Sequence, residues 1–82
     1  MYCKQIYSDK SRKVFDLVVL LSQEEINFIE KQLYQKNDGL KNIKIENEQI
    51  EIFKEAEVDW NPIIGSHLLE IVMNCKGLVG SL

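Results

Sequence analysis

Histidine, arginine and proline each occur once, as His67, Arg12 and Pro62, and cysteine twice, in a chain of 82 residues. Each scarcity excludes something. Any histidine mechanism has to rest on His67. On a helix its neighbour Ser66 points about 100° away, and Cys75 lies about 12 Å along the axis. Neither makes a nucleophile–base pair with it at hydrogen-bond distance. The expected role is a helix-surface histidine. Cys3 and Cys75 form no CxxC pair or Cys/His cluster, so neither a disulfide-rich scaffold nor a zinc site is expected. Cys75, on an apolar stripe, reads as a small core residue. Gly39, Gly65, Gly77 and Gly80 lie at helix ends or alone, and no phosphate-cradling loop is present. HExxH, GxSxG and EF-hand spacings are also missing. The expectation is a protein that is not an enzyme and holds no cofactor or metal. Nothing in the chain is specific enough to name a family.

Long hydrophobic runs are missing too. The first residues, Met1-Tyr2-Cys3-Lys4-Gln5, lack the apolar core of a signal peptide. The longest apolar run is too short to span a bilayer. A cytoplasmic protein with reduced thiols is expected, with no Cys3–Cys75 bridge. Apolar residues make up 45% of the chain, which argues against disorder. The net charge of −3 is too mild to force a nucleic-acid or membrane reading. The length fits one domain, residues 1–82.

What is present is organised around Val14 to Leu33. Val14-Phe15-Asp16-Leu17-Val18-Val19-Leu20-Leu21 has one polar member and reads as a strand. Being apolar on both faces, it is expected at the sheet's centre, covered on both. Asp16 then needs a partner, with Lys4, Arg12 and Lys13 as candidates. Ser22 and Glu25 have the spacing of a capping box, and Leu21 and Ile26 that of a hydrophobic staple. Glu24 and Glu25 suit the positive end of a helix dipole. A helix is expected from Gln23 to Lys36, with Ile26, Ile29 and Leu33 inward and Gly39 as the left-handed stop. Phe28 falls off that stripe.

Tyr2 to Tyr7 reads as a first strand, hairpinned to the second through Ser8-Asp9-Lys10-Ser11. Residues 42 to 54 read as a second hairpin. A turn centred on Asn47-Glu48 pairs Ile45 with Ile50 and Ile43 with Ile52, and sets Lys44 opposite Glu51. Asn-Glu is a weak two-residue turn sequence, which favours a longer loop. Pro62 marks a second helix at its first position, running to Cys75 with Gly77 as cap. Ile64, Leu68, Ile71 and Cys75 form its central stripe, widened by Leu69, Val72 and Met73. The whole is an α+β fold, order ββαββα, with a four-stranded, mainly antiparallel sheet and two helices.

Two surfaces draw notice. Residues 1 to 13 carry Lys4, Lys10, Arg12 and Lys13 against Asp9. Residues 46 to 59 carry Glu46, Glu48, Glu51, Glu55, Glu57 and Asp59 against Lys54. The acidic stretch reads either as solvated carboxylates or as a surface for a basic partner. Trp60 reads as a clamp of its loop onto the core, or as an interface anchor. With Phe28, Leu69, Met73, Leu78 and Val79 it makes an apolar candidate set. The leading expectation is a non-enzymatic regulatory module that binds a protein, with a homodimer through the second helix and tail as one form. The alternative is a small acidic inhibitor, of phage or mobile-element type, that occupies an enzyme's nucleic-acid site through residues 46–59. A small enzyme using Asp16 or Cys3 comes third. Direct nucleic-acid binding and membrane association are not expected.

Overall fold

The computed structural model describes residues 3–46 and 48–76. In chain order it contains β1 (Cys3–Ser8), β2 (Arg12–Leu17), α1 (Gln23–Lys36), β3 (Leu40–Glu46), β4 (Gln49–Lys54) and α2 (Ile64–Cys75). The strands form one antiparallel sheet ordered β1-β2-β4-β3. This is the expected ββαββα fold, with every pairing antiparallel. The expected cap at Gly77 and the tail residues 78–82 lie outside the described residues.

Alternation builds the core. Phe15 and Leu17 of β2 point the same way as Ile50 and Ile52 of β4 and Ile43 of β3, and all five are buried. Ile29 and Leu33 of α1 and Ile64, Leu68, Ile71 and Val72 of α2 complete that layer. The second helix packs over β1 and the first over β3. Both therefore cover the same face, and the other face stays open. That corrects the expectation of a strand covered on both sides.

The β2 strand also ends earlier than expected, at Leu17 rather than Leu21. Val18 to Leu21 form the connection to α1. They keep the alternation, with Val19 and Leu21 partly buried against the core while Val18 and Leu20 are 68% and 77% exposed. On the open face only Val14 is buried. It lies in register between Tyr7 and Glu51. The Arg12 guanidinium spans these two, 4.8 Å from the Tyr7 ring and 2.9 Å from Glu51 Oε2.

The second hairpin has the expected register, with Ile43 opposite Ile52, Lys44 opposite Glu51 and Ile45 opposite Ile50. The expected longer loop is not formed: Glu46 pairs with Gln49, which leaves two residues between the strands. Glu48 takes φ 64° there. Its carbonyl accepts from the Leu17 N–H at 2.7 Å, which latches the turn onto the end of β2. Lys44 and Glu51 face each other but pair elsewhere, Lys44 with Glu46 at 3.5 Å and Glu51 with Arg12.

The capping box is present. Ser22 Oγ accepts from the Glu25 N–H at 3.2 Å, and Glu25 Oε1 accepts from the Ser22 N–H at 2.8 Å. Lys76 Nζ reaches the same carboxylate at 3.2 Å, tying the start of α1 to the end of α2. Helix α2 starts later than expected. Pro62 and Ile63 lie in a turn that Asn61 closes by accepting from the N–H groups of Ile63 and Ile64.

Three outcomes follow from this geometry. Ser22→Ala is expected to cost about 1 kcal/mol, and to combine less than additively with Glu25→Ala, since both act on one motif. Hydrogen bonds, first from the Ser22 N–H and then from Lys76, hold the Glu25 carboxyl below its usual range. Its contribution is then complete above the unfolded carboxylate range and drains away as pH falls through its folded pKa. Full additivity in denaturant melts at pH 7 would rule out the reciprocal cap. The glycines give the third outcome, with opposite signs. Gly39 has φ 82°, and a Cβ there would lie 2.9 Å from Val58 Cγ1. Gly39→Ala is expected to lose about 1–2 kcal/mol from the left-handed conformation alone. A Cβ at Gly65 would meet Phe15 at an ordinary 3.7 Å. Gly65→Ala is expected to gain up to about 1 kcal/mol. Equal effects would contradict both geometries.

Candidate functional site

The two ends of the sheet are built differently. At one end the long connection from β4 to α2 folds back on the β1–β2 turn. Asp9 shapes that turn, with Oδ1 accepting from the N–H groups of Ser11 and Arg12, each at 2.8 Å. Its carboxyl is held low, first by the Tyr7 hydroxyl donating to Oδ2 and then by the Ser11 N–H. Lys54 shares the core-facing register of Ile50 and Ile52 and is only 3% exposed. Its ammonium donates to the carbonyls of Lys10, Glu55 and Val58. Three acceptors match its three protons, which is how a buried lysine stays tolerable. The Trp60 N–H donates to the Asp9 carbonyl at 2.5 Å. Lys13 and Lys54 lie 5.1 and 5.0 Å from the Trp60 ring. Burial, then the charge of Lys54, lowers the pKa of Lys13. Trp60 is thus a clamp, half-buried against the core and tied to the β1–β2 turn. Asn37 and Asn61 add a side-chain bond at 2.9 Å between the end of α1 and the same connection.

At the opposite end lies a groove of about 270 Å³, between the β2–α1 connection and the tip of the second hairpin. Val19, Leu20, Leu21, Ile26 and Ile45 line it, with Glu46 and Glu48 on its rim. Three contacts tie the backbone around it. The Leu17 N–H is held by Glu48, the Leu20 carbonyl accepts from Lys76 Nζ at 2.9 Å, and Ser22 sits in the capping box.

The six acidic candidates do not form one surface. Glu46 and Glu48 stand at the groove. Glu55, Glu57 and Asp59 lie past the far end of β4, a strand of six residues that separates the groups by about 17–20 Å. Glu51 lies midway on the open face, bound to Arg12. Glu55 is 3.7 Å from Lys41. Among the described residues Glu48, Glu57 and Asp59 have no ion pair. The apolar candidates scatter as well. Leu69 packs against the core and Met73 is half-buried, so α2 leaves less free apolar surface than its composition suggests. Phe28 is 41% exposed, beside Glu24, Glu25, Asn74 and Cys75. Leu78 and Val79 lie outside the described residues.

The residues weighed for chemistry are not brought together. Asp16 accepts from Gln49 Nε2 at 3.0 Å on the open face. Both cysteines are free thiols. Burial raises the pKa of each, that of Cys3 to about 11, which works against thiolate chemistry. His67 is half-buried rather than on the surface, with Nδ1 shut off from solvent and no hydrogen-bond partner among the described residues. Sequence reasoning missed Val18 and Leu20 as surface residues and Lys54 as a core residue. Parity was the available signal. Val18 and Leu20 are out of step with Phe15 and Leu17, and Lys54 is in step with Ile50 and Ile52.

No protein-family model matches the chain, and no curated protein or solved structure shows significant similarity to it.

The clamp is testable by stability. Lys54→Met withdraws the ammonium from the Lys10, Glu55 and Val58 carbonyls and is expected to cost about 1–3 kcal/mol. Amide exchange at Val58, whose N–H is bonded to the Glu55 carbonyl, should accelerate with it. Trp60→Phe keeps the ring under the two lysines but removes the bond to Asp9, at a cost of about 1 kcal/mol. A Lys54→Met protein as stable as wild type would mean that the ammonium is not held by those carbonyls.

Proposed function

We propose that this protein is a small non-enzymatic interaction module that binds another protein through the groove end of its sheet. The observation that carries this reading is the exposure of Val18 and Leu20, two large aliphatic side chains on a connection fixed at both ends. A lone exposed apolar residue needs no explanation. Here Leu20 lines a groove with an apolar floor and Val18 lies two residues before it on the same connection, the arrangement that marks interaction sites. Their backbone is held before binding, so little ordering entropy opposes association. The scattering of the acidic residues weakens the inhibitor reading, which needs one continuous anionic face. The partial burial of Leu69 and Met73 weakens a homodimer built on α2.

The test compares wild type with a Val18→Ser/Leu20→Ser variant. Exposed substitutions of this kind change stability by about 0.5 kcal/mol or less each, so the variant should melt within a few degrees of wild type. Both proteins are immobilised, exposed to lysate of the native host, and compared by quantitative mass spectrometry. A partner held by wild type and lost from the folded variant is the expected result. Partners retained equally by both would place binding elsewhere.

A further inference from the structure

We infer that the groove takes a protein segment in which a large apolar side chain is flanked by lysine or arginine. This rests on the interaction reading above and names its partner's chemistry. The floor supplies the apolar half: Val19, Leu21, Ile26 and Ile45 are each half-buried. The rim supplies the charge. Among the described residues that line the groove, Glu46 and Glu48 are the only ionised ones. Lys44 approaches Glu46 at 3.5 Å, but both side chains are more than half exposed, and such a pair is weak and screened. Glu48 has no ion pair among the described residues, and its carbonyl is latched to Leu17. Lys76 is committed to Glu25 and the Leu20 carbonyl. An incoming cation therefore meets carboxylates whose local competition is small, while an incoming carboxylate is repelled. An apolar anchor ringed by complementary charge gives both affinity and selectivity. The same field disfavours nucleic acid.

Fluorescence anisotropy tests this with three labelled decapeptides, alternating Leu with Lys, Leu with Glu, and Ser with Lys. The Leu/Lys peptide is expected to bind at least tenfold more tightly than either of the others, and more weakly as salt rises. Glu46→Gln, alone and with Glu48→Gln, is expected to weaken it severalfold and then about tenfold, and Leu20→Ser about tenfold. Circular dichroism confirms that each variant is folded. Equal binding of the Leu/Glu peptide, or indifference to the glutamine variants, overturns the charge assignment but leaves the apolar surface standing. Failure of all three peptides, with a lysate partner still lost from the Val18→Ser/Leu20→Ser variant, overturns this inference alone. Failure of both experiments removes the interaction reading with it. Sedimentation of the free protein covers the remaining occupant: a dimer dissociated by the glutamine variants would make the occupant a second copy of the chain and overturn the assignment to a foreign segment.

Discussion

One-sided burial governs this fold. Four strands and two helices make two layers, and both helices lie on the face that carries Phe15, Leu17, Ile43, Ile50 and Ile52. A chain of this size buries only about 60–65% of its unfolded surface, so the second face cannot also be dry. Its residues are accordingly mixed, and the buried one, Val14, lies between Tyr7 and Glu51, which Arg12 spans. Val14 apart, the large apolar side chains that leave the core-facing register meet solvent among the described residues. Val18 and Leu20 are the extreme cases.

The two ends of the sheet resolve the connecting loops in different ways. At the Trp60 end, polar groups are turned inward. Lys54 gathers carbonyls from two separate loops, and the Trp60 indole donates its N–H to the Asp9 carbonyl in the β1–β2 turn. The connection from residue 55 to 63 carries little of the buried hydrophobic core, so these bonds replace packing. At the groove end the reverse holds: apolar side chains are turned outward on a backbone tied at Leu17, Leu20 and Ser22. The groove end carries the two most exposed large aliphatic side chains among the described residues, Val18 and Leu20, while Val58 and Ile63 at the Trp60 end are less exposed.

Local rules were legible in the sequence where they were complete within a few residues. Ser22 and Glu25 announce the start of α1 because both halves of the cap are side chains at fixed spacing. The isoleucines of the second hairpin set their own register, because a slip by one residue would turn one strand's pair to the other face. What was illegible depended on tertiary layering. The run from Val14 to Leu21 contains no composition change to mark where pairing stops. Pairing stops at Leu17 because the backbone then turns to the Glu48 latch and the cap. The number of covered faces is likewise not a property of any one strand. Lys54 looks like a surface lysine until its parity is counted, and its tolerance in the core depends on carbonyls contributed 44 residues earlier and one to four residues later.

The cap and the exposed pair are physically linked. Glu25 serves the Ser22 N–H and Lys76 at once, and Lys76 in turn holds the Leu20 carbonyl. The device that starts α1 therefore also fixes the connection that presents Val18 and Leu20, and it draws the end of α2 into the same arrangement. If that connection were loose, two exposed aliphatic side chains could collapse onto the neighbouring apolar floor of Ile26 and Ile45, as hydrophobic burial would favour. Held as it is, the backbone keeps them outward and keeps the floor open. The same bonds that stabilise the cap thus also set the shape of the surface on which the proposed partner would dock.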